Sequence, residues 1–111
     1  GIVYYYLDRL DDALKDLDES ITLDPTLWRG YGFRGIILCN KEQYFTGLND
    51  LDVSIRGGEK KPEFYLYRGI ASFILDYQDK GLSDLNKYIG YFLEWGYSAK
   101  KLRASFSDWH M

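Results

Sequence analysis

The chain has 111 residues, enough for one domain with one core and too few for two. Apolar residues make up 46% and charged residues 28%, which argues against disorder, and a net charge of -3 without a basic stripe argues against a nucleic-acid binder. No apolar run approaches the roughly 20 residues of a membrane span, and the lone Cys39 cannot close an internal disulfide.

The opening, GIVYYYLDRL, has a helical pattern with no basic leader and no small-residue cleavage site, so no targeting segment is expected. It reads as the stub of a first helix, from a longer array, a tag remnant or a natural short form, and the missing initiator methionine favours the first two. Beyond it, Ala13, Leu14, Leu17 and Ile21 share one face at helical spacing. LDPT at 23–26 stops that helix, because Pro25 has no amide hydrogen and disfavours a helical residue before it. A helix from about Leu27 to Cys39 follows, and NKEQ at 40–43 makes a turn. The next helix carries Leu48, Leu51 and Ile55, and RGGEKKP at 56–62 ends it with helix-terminating glycines. A third pair is expected from about Glu63 to Leu75 and from about Asp79 to Phe92. The tail YSAKKLRASFSDWHM reads as one more amphipathic helix, with Lys100, Lys101, Arg103 and Asp108 as its polar side. Aromatic residues reach 18%, with 11 tyrosines, most of them read as knobs between helices.

These elements repeat. Gly1-Ile2, Gly35-Ile36 and Gly69-Ile70 are spaced 34 residues apart, and the same offset superposes Leu14, Leu48 and Leu82. It also superposes Asp16, Asp50 and Asp84, then Leu17, Leu51 and Leu85, then Ile21, Ile55 and Ile89, with small residues at Ala13, Gly47 and Gly81. A two-helix unit of this length resembles the tetratricopeptide repeat. The family's small residue in the first helix is matched by Gly1, Gly35 and Gly69, and its facing small residue by Ala13, Gly47 and Gly81. Its early aromatic is matched by Tyr31 and Tyr65, the aromatic near the turn by Tyr44, and its closing proline by Pro25 alone, with Glu59 and Leu93 in the other copies. The resemblance implies an all-α superhelix of about three repeats in one domain. Repeat 1, truncated at its start, spans 1–25, repeat 2 spans 26–60, repeat 3 spans 61–95, and a capping helix spans 96–111. In LRASF at 102–106 the tail keeps an echo of YRGIASF at 67–73, with Ala104 for the glycine.

Two expectations concern packing. The glycines should lie where the helices of one repeat cross, since removing a side chain lets the axes approach. Arg34 and Arg68, which precede two of those glycines, should pair with the aspartates of the second helices, a bidentate arrangement that fixes orientation more than it adds stability.

Function follows from the resemblance as a further expectation. In this family the first helices line a concave groove that takes a peptide or helix. Carried over by alignment, the groove comprises Ile2, Tyr5, Tyr6, Arg29, Gly32, Ile36, Cys39, Asn40, Glu63, Leu66, Ile70, Phe73 and Ile74, with Tyr5 and Phe73 as anchors. This lining is mostly apolar, which fits an apolar or amphipathic protein partner. The family's clamp for terminal carboxylates needs asparagines at Ile2 and Phe33, a lysine at Glu63 and an arginine at Tyr67, so chaperone tails are not the expected ligand. The alternative is homo-oligomerisation, with the groove or the truncated first repeat contacting a second copy. Catalysis is not expected: His110 stands alone near the end, Cys39 has no histidine to activate it, and no phosphate-binding glycine loop is present. No cofactor and no metal are expected either.

Overall fold

The computed structural model describes residues 2–109, with side chains over 8–93. Among them are five helices and no strand: α1 (Ile2–Leu23), α2 (Trp28–Asn40), α3 (Tyr44–Arg56), α4 (Pro62–Ile74) and α5 (Gln78–Trp109). No helix among the described residues is long and apolar enough to cross a membrane. The architecture is all-helical and repeat-like. α2 packs with α3 and α4 with α5 as two hairpins, α4 also rests on α3 and α2, and α1 leans on α2.

The connections explain where the helices stop. α2 and α4 end one repeat apart, at turns whose central residues, Glu42 (φ 63°) and Asp76 (φ 69°), adopt the left-handed conformation. The following amides reach back five residues, Gln43 to the Leu38 carbonyl (2.8 Å) and Tyr77 to the Ser72 carbonyl (2.7 Å). This is the Schellman closure, here without the glycine that normally makes it inexpensive. α3 ends the same way, from Glu59 to the Ser54 carbonyl (3.1 Å), with Gly58 at φ 109°, a conformation that favours glycine. Beside it the Trp28 ring lies where a side chain on Gly57 would be. Before α2, the Asp24 carboxylate accepts from the Thr26 amide (3.1 Å) and hydroxyl (2.7 Å). These bonds, the hydroxyl's first, hold the Asp24 carboxyl below its ordinary value. Pro62 opens α4 at a position where the missing amide costs nothing.

The glycine columns mark the closest approaches. A Cβ on Gly35 would stand 2.7 Å from Leu51 Cγ and 2.9 Å from the Gly47 carbonyl oxygen, and one on Gly47 would stand 3.0 Å from the Gly35 oxygen. One repeat later, Gly69 faces the Gly81 oxygen at 3.1 Å and Gly81 faces the Gly69 oxygen at 3.0 Å. Leu51, Ile55, Phe64, Tyr65, Ala71 and Cys39 form the core between and beside the crossings.

Two expectations fail at the ends of the chain. The first copy is not a hairpin: α1 runs unbroken from Ile2 to Leu23, so no crossing forms around Ala13, while Gly1 lies outside the described residues. Nothing in YLDRLDDA interrupts a helix, so it proceeds through the position where Glu42 and Asp76 make left-handed turns in the later copies. Nor is the capping helix a separate element, because α5 continues from Gln78 to Trp109. Where α3 has Gly57 and Gly58, the third copy has Tyr91 and Phe92, and Leu93 stands in the column of Pro25, so no breaker stops the helix.

The crossings generate a paired prediction. Gly35→Ala gains roughly 0.5–1 kcal/mol of helix propensity but must displace Leu51 and the facing backbone, and a net destabilisation of about 1–3 kcal/mol is expected in urea unfolding. Gly90→Ala, where the new methyl meets nothing within 4 Å, should instead stabilise by roughly 0.5–1 kcal/mol.

Candidate protein-interaction surface

Each hairpin carries one arginine held by two aspartates. Arg34 donates from Nε and Nη2 to the two carboxylate oxygens of Asp50 (2.7 and 3.0 Å), and from Nη1 to Asp18 of α1 (3.0 Å). Arg68 repeats the pattern, with Nε and Nη2 on Asp84 (2.8 Å each) and Nη1 on Asp52 of α3 (3.1 Å). The bidentate pair lies within a hairpin and the third bond crosses to the preceding helix. Each guanidinium also lies over a tyrosine one turn earlier, Tyr31 at 5.3 Å and Tyr65 at 5.7 Å. The Asp50 hydrogen bonds, reinforced by Asp18, raise the Arg34 pKa above its ordinary value against the opposing effect of burial. Asp52 is further contacted by Arg56 (3.1 Å) and Lys80 (3.6 Å).

The expected pairing of Arg34 and Arg68 with Asp50 and Asp84 is thus present. The crossing contacts of Asp18 and Asp52 were not anticipated. Their signal was in the sequence, since they too are 34 residues apart, and the third place in that column is Asn86. Both arginines are occupied in holding helices together, which removes them as free groups for an anionic ligand.

The residues assigned to the groove divide. Ile70, Phe73 and Ile74 come together on α4 as an exposed apolar stripe, with Ile74 53% open to solvent. Phe33, on α2, is exposed as well and meets Phe64 edge-on at 5.4 Å. It was overlooked as a groove residue, although an aromatic column joins it to Tyr67. Asn40 is exposed, Ile36, Glu63 and Leu66 are half-buried, and Arg29 is exposed within 3.8 Å of Glu59. Two assignments are corrected. Cys39 does not line a groove: it is 5% exposed, in the core, with its sulfur against the Gly47 crossing. Gly32 is buried beneath the Phe64 ring, 2.3 Å from where its Cβ would stand. Phe73 has a double position, since one ring edge packs against Gly81 while 40% of the residue remains exposed. The side chains of Ile2, Tyr5 and Tyr6 lie outside the described residues, as does His110.

Among the described residues no group of three or more histidines, cysteines, aspartates or glutamates is arranged to hold a metal ion. Burial pushes the Cys39 thiol up to about 11 from its ordinary 9.0. No protein-family model matches the chain, and no curated protein matches it.

The arginine ladder predicts a non-additive result. Arg68→Ala leaves Asp84, 3% exposed, buried without its partner and should cost about 3–5 kcal/mol in urea unfolding. Pairing Arg68→Met with Asp84→Leu should recover most of that loss, because no charge is then stranded. For Cys39 the sign is also defined. The folded state disfavours the thiolate, so its contribution to stability is complete below pH 9 and falls as the pH rises toward 11. Iodoacetamide at pH 8 should accordingly leave the native thiol unmodified and alkylate it in denaturant.

Proposed function

We propose that the hairpins are tetratricopeptide-like repeats and that the chain is a non-catalytic protein-interaction module. Its inner helices α2 and α4 present an apolar surface to a peptide or helix of a protein partner. One observation carries this reading: Ile70, Phe73 and Ile74 stay exposed on a helix whose one basic residue, Arg68, is consumed by Asp52 and Asp84. A surface built this way offers dispersion contacts and few directional polar groups, which suits the apolar face of an amphipathic segment better than a carboxylate or phosphate. Glu63 and Tyr67, standing where the family's carboxylate clamp has basic residues, point the same way.

The test is selection from a library of amphipathic helical peptides, followed by titration of the best binder by calorimetry. Ile70 and Ile74 lie one helical turn apart and are both exposed, so replacing both with alanine is expected to leave the hairpin intact. The double variant should bind at least tenfold more weakly, equivalent to about 1.4 kcal/mol, with its thermal midpoint unchanged. Equal binding by the variant, or selection of acidic extended peptides in place of amphipathic ones, would sink the reading.

A further inference from the structure

The repeat prescribes a cover that, among the described residues, its last copy lacks. Ile21 and Ile55, in one column, are each 8% exposed, whereas Ile89 in the same column is 47% exposed. Ile55 shares the core with Phe64 of α4, and the cover over Ile21 comes from α2, whose Gly30 lies beside it. Leu48 packs against the core, while its counterpart Leu82 is 54% exposed. Leu82 and Ile89, equivalent to Leu48 and Ile55 of α3, form with Leu93, one turn further on, an open apolar stripe on α5. The polar position within it is changed too. Asp18 and Asp52 each bind the arginine of the next helix, but the third residue of that column is the neutral Asn86, and the arginine column itself continues to Leu102.

The element that should cover this stripe is in the chain but does not reach it. The tail carries the echo LRASF, and Ala99, Leu102, Phe106 and Trp109 recur at helical spacing. Yet α5 is one helix of 32 residues, about 48 Å long at 1.5 Å per residue, whereas α4 measures about 20 Å. Tyr91 already lies 6.4 Å from Tyr65, close to the start of α4, so the remainder of α5 runs past the hairpin. A continuous helix cannot fold onto its own side. The tail can therefore cover such a stripe only on a second copy of the chain.

We propose that two copies of this chain exchange their tails, residues 96–109 of each lying antiparallel across Leu82, Ile89 and Leu93 of the other. α4 runs antiparallel to α3 in the same manner. An antiparallel register about the middle of α5 sets Leu82 opposite Trp109 and Ile89 opposite Leu102, and these contacts occur twice in a closed two-fold pair. This surface is separate from Ile70 and Ile74, so the exchange and the groove stand or fall independently.

Analytical ultracentrifugation of the full chain over a concentration series tests the exchange. The wild-type chain should be a dimer. Ile89→Asp on the open stripe and Leu102→Lys on the tail should each sediment as a monomer with unchanged helicity by circular dichroism. Mixing the two variants should restore a one-to-one heterodimer, since it pairs Asp with Lys at one contact and retains Ile with Leu at the other. Should Ile89→Asp disturb folding, Leu82→Lys with Trp109→Glu as its tail counterpart replaces the pair, at a more exposed position of the same stripe. A wild-type monomer at every concentration, dimers that survive either substitution, or a mixture that stays monomeric would each overturn the proposal.

Discussion

At each hairpin the two helices meet with backbone close to backbone, Gly35 against Gly47 and Gly69 against Gly81, and the rest of the packing depends on that distance. A side chain at either position would have to push the axes apart. With the axes near, Leu51 lies over Gly35 and Leu85 over Gly69, and the core residues around Leu51 close completely. Each glycine gives up helix propensity, and the packing gained along two helices of thirteen residues offsets it at the first crossing. The second crossing has the same backbone geometry, yet Leu85 and Phe73 remain partly open, because no further helix among the described residues lies above them.

The arginines act at a different level. Glycine contacts set how near two helices lie, but they are short-ranged and indifferent to rotation. A guanidinium fixed by one carboxylate within the hairpin and by another on the preceding helix defines both orientation and stacking. Its energetic contribution is limited, since desolvating Asp84 and Arg68 consumes much of the Coulomb attraction, and its consequence is directional. The same arrangement occupies both arginines, which leaves Ile70, Phe73 and Ile74 as the exposed residues at the end of α4.

The ends of the array show what happens when one part of the pattern is missing. In the first copy the second-helix residues are present, but no breaker precedes them, and α1 continues as one rod. In the last copy the hairpin is complete but the breaker after it is absent, and α5 again continues as one rod. Both results follow from helix cooperativity: a helix proceeds until a breaker or a tertiary contact makes stopping more favourable.

The sequence alone determined the all-helical class, the 34-residue period, the glycine crossings and the arginine–aspartate pairs within hairpins. These depend on residue type at a fixed spacing, which is local information repeated along the chain. Pro25, Gly57 and Gly58 likewise marked their turns without reference to anything distant. Only the tertiary structure decided the rest. Glu42 and Asp76 are ordinary residues made left-handed by the packing of the hairpins they join. Cys39, aligned with the groove, is drawn into the core by the close Gly47 crossing. Ile21 and Ile55 are buried while the identical Ile89 is not, because burial depends on whether another helix lies above a residue, and spacing along the chain cannot specify that.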